Sequence, residues 1–156
     1  MIKIRLVAVG RIKEKYYAEA VEEYSKRLSR FCDFKIVEVA EENYQKSDGA
    51  RGKILSAEGE RIEKAIKGYA VALAVEGRKI SSEKLAEFIR KKTDGGIGEI
   101  TFIIGGSYGI KEEVKQKCGD KISFSDMTFP HTLMRVMLTE QLYRAFTIIA
   151  GAEYHK

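Results

Sequence analysis

The stretch TFIIGGSYGI, residues 101–110, decides how the chain is to be read. Its first half is continuously apolar. Together with Glu99 and Ile100 it forms EITFII, which has the length and content of a strand buried on both faces, as in a parallel sheet covered by helices. Its second half sets Gly105, Gly106 and Gly109 at the end of that strand, in a chain that has a single proline. Two explanations of the glycines follow from elementary geometry. Either something approaches bare backbone there, or the chain makes a tight turn with Gly109 in the left-handed conformation before the next helix.

Working outward from this stretch, strand-like and helix-like segments alternate to both ends of the chain. IKIRLVAV (residues 2–9) has apolar residues at every second position, and FKIVEV (34–39) reads as a second strand. YAVALAV (69–75) is again continuously apolar, and KISF (121–124) is a short strand. Between them, KEKYYAEAVEEYSKRLSRF carries Tyr17, Ala20, Val21, Tyr24 and Leu28 on one helical stripe. ILSAEGERIEKAIK is a helix weakened by Gly59. SSEKLAEFIRKKTDGG has a serine start and a glycine stop, and KEEVKQKC is a short helix. The last helix, HTLMRVMLTEQLYRAFTIIA, is apolar around most of its circumference, which predicts that part of it is buried against a second copy. EENYQKSDGARG is polar and reads as a loop. The alternation predicts an α/β fold with a mainly parallel sheet flanked by helices. No linker, repeat or low-complexity tract divides it, so residues 1–156 read as one domain.

Composition narrows the function. Hydrophobic residues make up 44% and charged residues 33%, which fits a folded globular protein and excludes a disordered one. No apolar run approaches the ~18 residues of a membrane span, and the N-terminus lacks the apolar core and cleavage site of a signal peptide. A cytoplasmic location is expected. Cys32 and Cys118 have no Cys or His at zinc spacing and read as reduced thiols. The net charge of +5 permits a nucleic-acid partner without demanding one.

In parallel α/β sheets, ligands lie beyond the carboxyl ends of the strands. The loops there are LAVEGRKISS, GGSYG and FSDMTFPH. Phosphate cradles are unsupported, because neither G-x-x-x-x-G-K-[ST] nor G-x-G-x-x-G occurs. A G-x-S-x-G elbow is absent. The only histidines are His131 and His155, and no HExxH spacing suggests a metal.

IIGGSYG, SFSDMTFPHTLMRVMLTEQLYRAFTIIAGAEYHK and the opening KIRLVAVGRIKEKYY together resemble, over essentially the whole chain, the small SPOUT-class methyltransferases that methylate N3 of a pseudouridine in large-subunit ribosomal RNA. The resemblance implies an S-adenosyl-L-methionine-binding α/β domain whose C-terminal part is a deep trefoil knot. It also implies a homodimer whose tail helps complete the active site, acting on ribosomal particles and using no metal. Family cofactor contacts carry over to Leu73, Gly105, Phe124, Ser125, Asp126, Met127, Thr128 and Phe129. At Gly105 a side chain is expected to intrude on the cofactor.

The same resemblance marks Arg135, Tyr154 and His155 for catalysis. Arg135 would stabilise the deprotonated imide or grip a phosphate; the plainer reading is a surface ion pair. Tyr154 would stack on the target base, and His155 would accept or relay the N3 proton. His131 would cap or orient its loop. Glu140 and Arg144 have ordinary helical salt-bridge spacing. Lys13, Lys15, Arg78, Lys79, Lys91 and Lys92 are either separate solvated charges or an RNA-facing patch. Two other functions stay open: a SPOUT enzyme acting on another base or on tRNA, and a ribosome-associated RNA-binding protein without catalysis.

Overall fold

The computed structural model describes residues 1–43 and 50–156. Among them, five strands form one parallel sheet: β1 (Lys3–Val9), β2 (Asp33–Val39), β3 (Tyr69–Lys79), β4 (Glu99–Ile104) and β5 (Asp120–Ser123), hydrogen-bonded in the order β2-β1-β4-β3-β5. The helices are α1 (Lys15–Leu28), α2 (Ala50–Ala65), α3 (Ser82–Asp94), α4 (Glu112–Lys117) and α5 (His131–Ala150).

Side-chain alternation along the strands explains the layers. Ile4 and Leu6 of β1 and Ile100, Phe102 and Ile104 of β4 join one core with Leu28, Leu85, Ile89, Leu138 and Leu142, beneath α1, α3 and α5. Val7, Val9 and Ile103 point the other way and meet Ile62 of α2 and Val114 of α4. Both faces are covered, so the central strands are apolar without interruption. Thr101 is the exception on β4. It is fully buried, and its hydroxyl donates to Lys67 O at 2.5 Å and accepts from Lys67 N at 3.1 Å.

Local signals set the helix ends. Ser81 caps α3 by accepting from Lys84 N at 3.1 Å. Gly151 ends α5 with φ +70°, and Ala152 N donates back to Thr147 O at 2.9 Å, which reverses the chain so that the tail runs back along α5.

The structure departs from the sequence reading in three places. Helix α2 starts at Ala50, inside the stretch read as a polar loop; residues 44–49 of that stretch lie outside the described residues. Strand β3 continues to Lys79, four residues past Val75. Its register breaks on the way, since Leu73 and Arg78 both pair with Ile122, and Gly77 lies so close to Ile122 that a Cβ there would stand 2.8 Å from its backbone nitrogen. The last strand begins at Asp120 and ends at Ser123, leaving Phe124 to the following loop. Cys32 is buried and Cys118 half-buried, both as free thiols. No described helix is long and apolar enough to cross a membrane.

Candidate functional site

A cleft of about 830 Å³ opens at the carboxyl ends of β3, β4 and β5. Leu73, Gly105, Phe124, Ser125, Met127, Thr128 and Phe129 all line it, as do His131 and Met134 from the first turn of α5. Asp126 does not. The loop after β5 is shaped by its own hydroxyls: Ser123 donates to Ser125 O at 2.9 Å, and Ser125 Oγ accepts from Met127 N at 3.0 Å. That turn throws Asp126 outward, where its carboxylate meets Lys79 Nζ at 2.5 Å.

The glycines form a tight turn at the end of β4. Gly109 has φ +84°, and its N–H donates to Gly106 O at 3.0 Å. A Cβ on Gly105 would stand 2.4 Å from the carbonyl carbon and oxygen of Gly109. A side chain at Gly105 would strike the turn itself, in addition to any ligand in the cleft that Gly105 lines. Gly106 faces inward too, and its Cβ would lie 3.0 Å from Glu58 Oε1. Sequence reading passed over Glu58. It is only 3% exposed, accepts from Glu42 N at 3.1 Å through Oε2, and leaves Oε1 without a hydrogen-bond partner among the described residues. Burial pushes its carboxyl above the usual carboxylate range.

Arg135 is not at the surface. It is 1% exposed, with Nη1 2.7 Å from Glu38 Oε2 and Nη2 donating to Val9 O at 2.7 Å and Gly10 O at 2.8 Å. Those carbonyls lie where β1 runs out of sheet partners, and the guanidinium fork satisfies them. Its burial corrects the surface ion pair considered for Arg135: the guanidinium that meets Glu38 lies at the end of β1, beneath the surface. One turn earlier, burial and then the Arg135 charge push the His131 imidazole below its usual pKa, so it is neutral near physiological pH.

The tail is docked on the C-terminal half of α5. Arg144 donates to Glu140 Oε1 from Nε at 2.9 Å and from Nη2 at 2.7 Å. Its guanidinium lies 4.7 Å from the Tyr154 ring centroid, and Tyr154 Oη donates to the same Glu140 oxygen at 3.3 Å. Burial, and after it Glu140, raises the Tyr154 phenol. His155 Nδ1 lies 3.2 Å from Arg144 Nη1, and Nε2 lies 2.6 Å from Glu83 Oε1. Arginine offers only donors, so Nδ1 accepts and Nε2–H donates to the carboxylate. As docked, His155 has no lone pair left to accept a proton. Glu140 and Arg144, which read as an ordinary helical pair, are half-buried at the centre of this dock; their spacing was visible and their tertiary role was not.

Cleft and tail stand apart. His131 and Arg144 lie on the same helix, which at 1.5 Å per residue separates them by roughly 20 Å. Most of the basic residues singled out have an acidic or aromatic neighbour, and Arg78 and Lys92 meet at the Asp120–Tyr69 pair. Lys15 pairs with Glu19, Arg78 with Asp120, Lys79 with Asp126 and Lys91 with Glu87, while Lys92 sits 3.9 Å over the Tyr69 ring. No cluster of His, Cys, Asp and Glu fit for a metal occurs among the described residues.

Comparison with known proteins matches this architecture. The chain is 47% identical over 159 aligned residues to the Ribosomal RNA large subunit methyltransferase H of Streptococcus uberis, covering 99% of this chain and 100% of that protein. It is 48% identical to the protein of the same name from Bifidobacterium adolescentis, with the same coverage. Among solved structures, a "probable methylase family protein" from Haemophilus influenzae superposes with a TM-score of 0.55 at 16% identity, over 99% of this chain and 70% of that one, a likeness of fold. The family model described as "Predicted SPOUT methyltransferase" matches residues 2–155. The chain belongs to the SPOUT methyltransferase family.

Proposed function

We propose that residues 1–156 form one catalytic domain that uses S-adenosyl-L-methionine to methylate N3 of a pseudouridine in large-subunit ribosomal RNA. Full-length relatives named for large-subunit ribosomal RNA methylation support the substrate. The observation that carries the reading is the convergence of the strand-end loops on one cleft of cofactor size. Its chemistry fits the cofactor: Leu73, Ile104, Ile122 and Met134 offer an apolar floor for an adenosyl group, and the backbone around Gly105 and Ser125 offers polar groups at its edge. When bound, the cofactor supplies an activated methyl group. The chain's own residues then have two tasks. They hold the base in line with that methyl, and they receive the imide proton as the N3–carbon bond forms.

Tyr154 and His155 supply a stacking surface and a proton acceptor, and Arg144 holds both in the docked tail. The tail of one chain is docked roughly 20 Å along α5 from its own cleft, so the site we propose joins the cleft of one protomer to the tail of another. A half-exposed stripe of Leu133, Val136 and Met137 on α5 supports a homodimer packed along that helix. Binding the partner's cleft would release Nδ1 from Arg144 and free the imidazole lone pair that accepts the imide proton. Substrate is met in ribosomal particles in the cytoplasm. The knotted path that the family resemblance implies is consistent with the excursion of β3 between Leu73 and Arg78.

The test is transfer of labelled methyl to large-subunit particles from cells lacking the protein, with mass spectrometry of the RNA nucleosides. Wild-type protein gives N3-methylpseudouridine. Protein lacking Tyr154 to Lys156 stays folded, keeps cofactor affinity and transfers none. Transfer by the truncated protein at the wild-type rate would remove the tail from the mechanism. Cofactor-independent RNA binding without transfer by the full chain would favour a non-catalytic RNA-binding role.

A further inference from the structure

The rim of the cleft is unlike the rest of the surface. Of the large apolar side chains exposed among the described residues, Val75, Tyr108 and Met127 lie together around this one opening. An exposed apolar grouping of this kind marks a contact surface. Tyr108 is held out by the Gly106–Gly109 turn and is 44% exposed. The Arg51 guanidinium lies 5.6 Å from its ring centroid, and both residues line the cleft. Arg51 occupies the first turn of α2, which carries no acidic residue and where the helix dipole opposes a cation. Helix stability therefore gives no reason for an arginine there.

We propose that Tyr108 and Arg51 bind the nucleotide next to the target in a single-stranded RNA segment, Tyr108 stacking on its base and Arg51 pairing with its phosphate. The inference rests on reading the protein as an RNA methyltransferase. A base drawn into the cleft leaves its neighbour with one unstacked face at the mouth. The Tyr108 ring is placed to cover that face. Arg51 lies over the ring, which is 44% exposed, so a base stacked on Tyr108 would lie beside the guanidinium and stacking and cation–π attraction would act together. The positive charge beside the ring favours a phosphate-bearing occupant over an apolar protein segment. Stacking is tolerant of base identity, so the rim contributes affinity and position more than sequence choice.

The experiment measures binding of the full-length protein to large-subunit particles, binding of S-adenosyl-L-methionine by calorimetry, and oligomeric state by light scattering, for wild type, Tyr108→Ala, Tyr108→Phe and Arg51→Gln. Tyr108→Ala and Arg51→Gln should each weaken particle binding by roughly five- to hundred-fold, the range that loss of one aromatic–base stack spans. Tyr108→Phe should stay within about twofold, since it keeps the stacking face. Cofactor affinity and oligomeric state should be unchanged in all three variants. Unchanged particle affinity in Tyr108→Ala overturns the inference, as does an equal loss of cofactor affinity, which would place the ring against the cofactor. A shift of Tyr108→Ala toward monomer also overturns it, since a second copy of the chain would then cover the rim. Failure of wild-type protein to bind particles overturns it too. Particle binding by wild type without methyl transfer would instead refute the proposed activity and leave the rim standing.

Discussion

His155 Nε2 stands 2.6 Å from Glu83 Oε1, and this contact ties the last residues of the chain to the first turn of α3. The Glu83 carboxyl is held below its usual range, first by its own backbone N–H and then by His155. A depressed carboxyl makes its contribution above its unfolded pKa and loses it as pH falls through the folded value. Tail order, read as the heteronuclear NOE of the His155 amide, should therefore persist at neutral pH and fall in acid. Glu83→Ala should give a mobile tail at every pH with an unchanged melting temperature. A rigid tail in that variant would show that Arg144 and Tyr154 hold it alone.

The glycine turn separates two kinds of glycine. Gly105→Ala puts a methyl 2.4 Å from the Gly109 carbonyl and should destabilise by about 3 kcal/mol, with loss of cofactor binding as the cleft floor shifts. Gly109→Ala meets no atom within 4 Å and bears only the left-handed conformation, about 1–2 kcal/mol. Urea titrations of the pair give the order directly. A fully stable Gly105→Ala protein that merely binds cofactor weakly would favour the direct-intrusion account.

Arg135→Met should cost about 2–3 kcal/mol in urea unfolding, because the Val9 and Gly10 carbonyls lose a charged donor in a buried setting. Glu38 is 43% exposed and can turn to solvent, so the loss should fall short of that for a fully buried pair. Unchanged stability with abolished transfer would give Arg135 a catalytic role and not a structural one.

Glu58 should make stability fall as pH rises. Burial raises its folded pKa, so the native state binds the proton more tightly than the unfolded chain, and stability is lost as pH rises from the unfolded value through the folded one. The melting temperature of Glu58→Gln minus that of wild type should grow more positive from pH 4 to pH 8. A difference independent of pH would mean that the carboxyl stays ionised and finds its partner elsewhere.

What could be read from the sequence follows from these contacts. EITFII and YAVALAV announce a sheet covered on both faces, because after Glu99 and Tyr69 neither stretch holds a charged residue that has to meet water, and that places the loops of the cleft. The end of β3 was illegible for the opposite reason. Val75 to Lys79 are mostly exposed, and after Leu73 the strand pairs only with β5, so its residues look like a loop. Arg135 was misjudged because an arginine on a helix is usually solvated; what buries it is the need of two carbonyls in a different element for donors. The dock of Tyr154 and His155 depends on the reversal at Gly151, which looks in sequence like any helix stop. The directions of the missing side chains at Gly105 and Gly106 are properties of the turn, and only coordinates supply them.

The strand order also bears on how the chain is made. A nascent chain released as far as Gly119 already holds β2, β1, β4 and β3, side by side, with the outer edge of β3 unpaired. An open edge of that kind is a template for stray pairing. Residues 120–156 add the short strand that pairs with β3 and becomes the sheet edge in its place, most of one wall of the cleft, and the helix that covers α1 and α3. During synthesis the long edge of β3 thus stays open until the four residues of β5 emerge, and a wall of the cleft arrives with the short strand that pairs it.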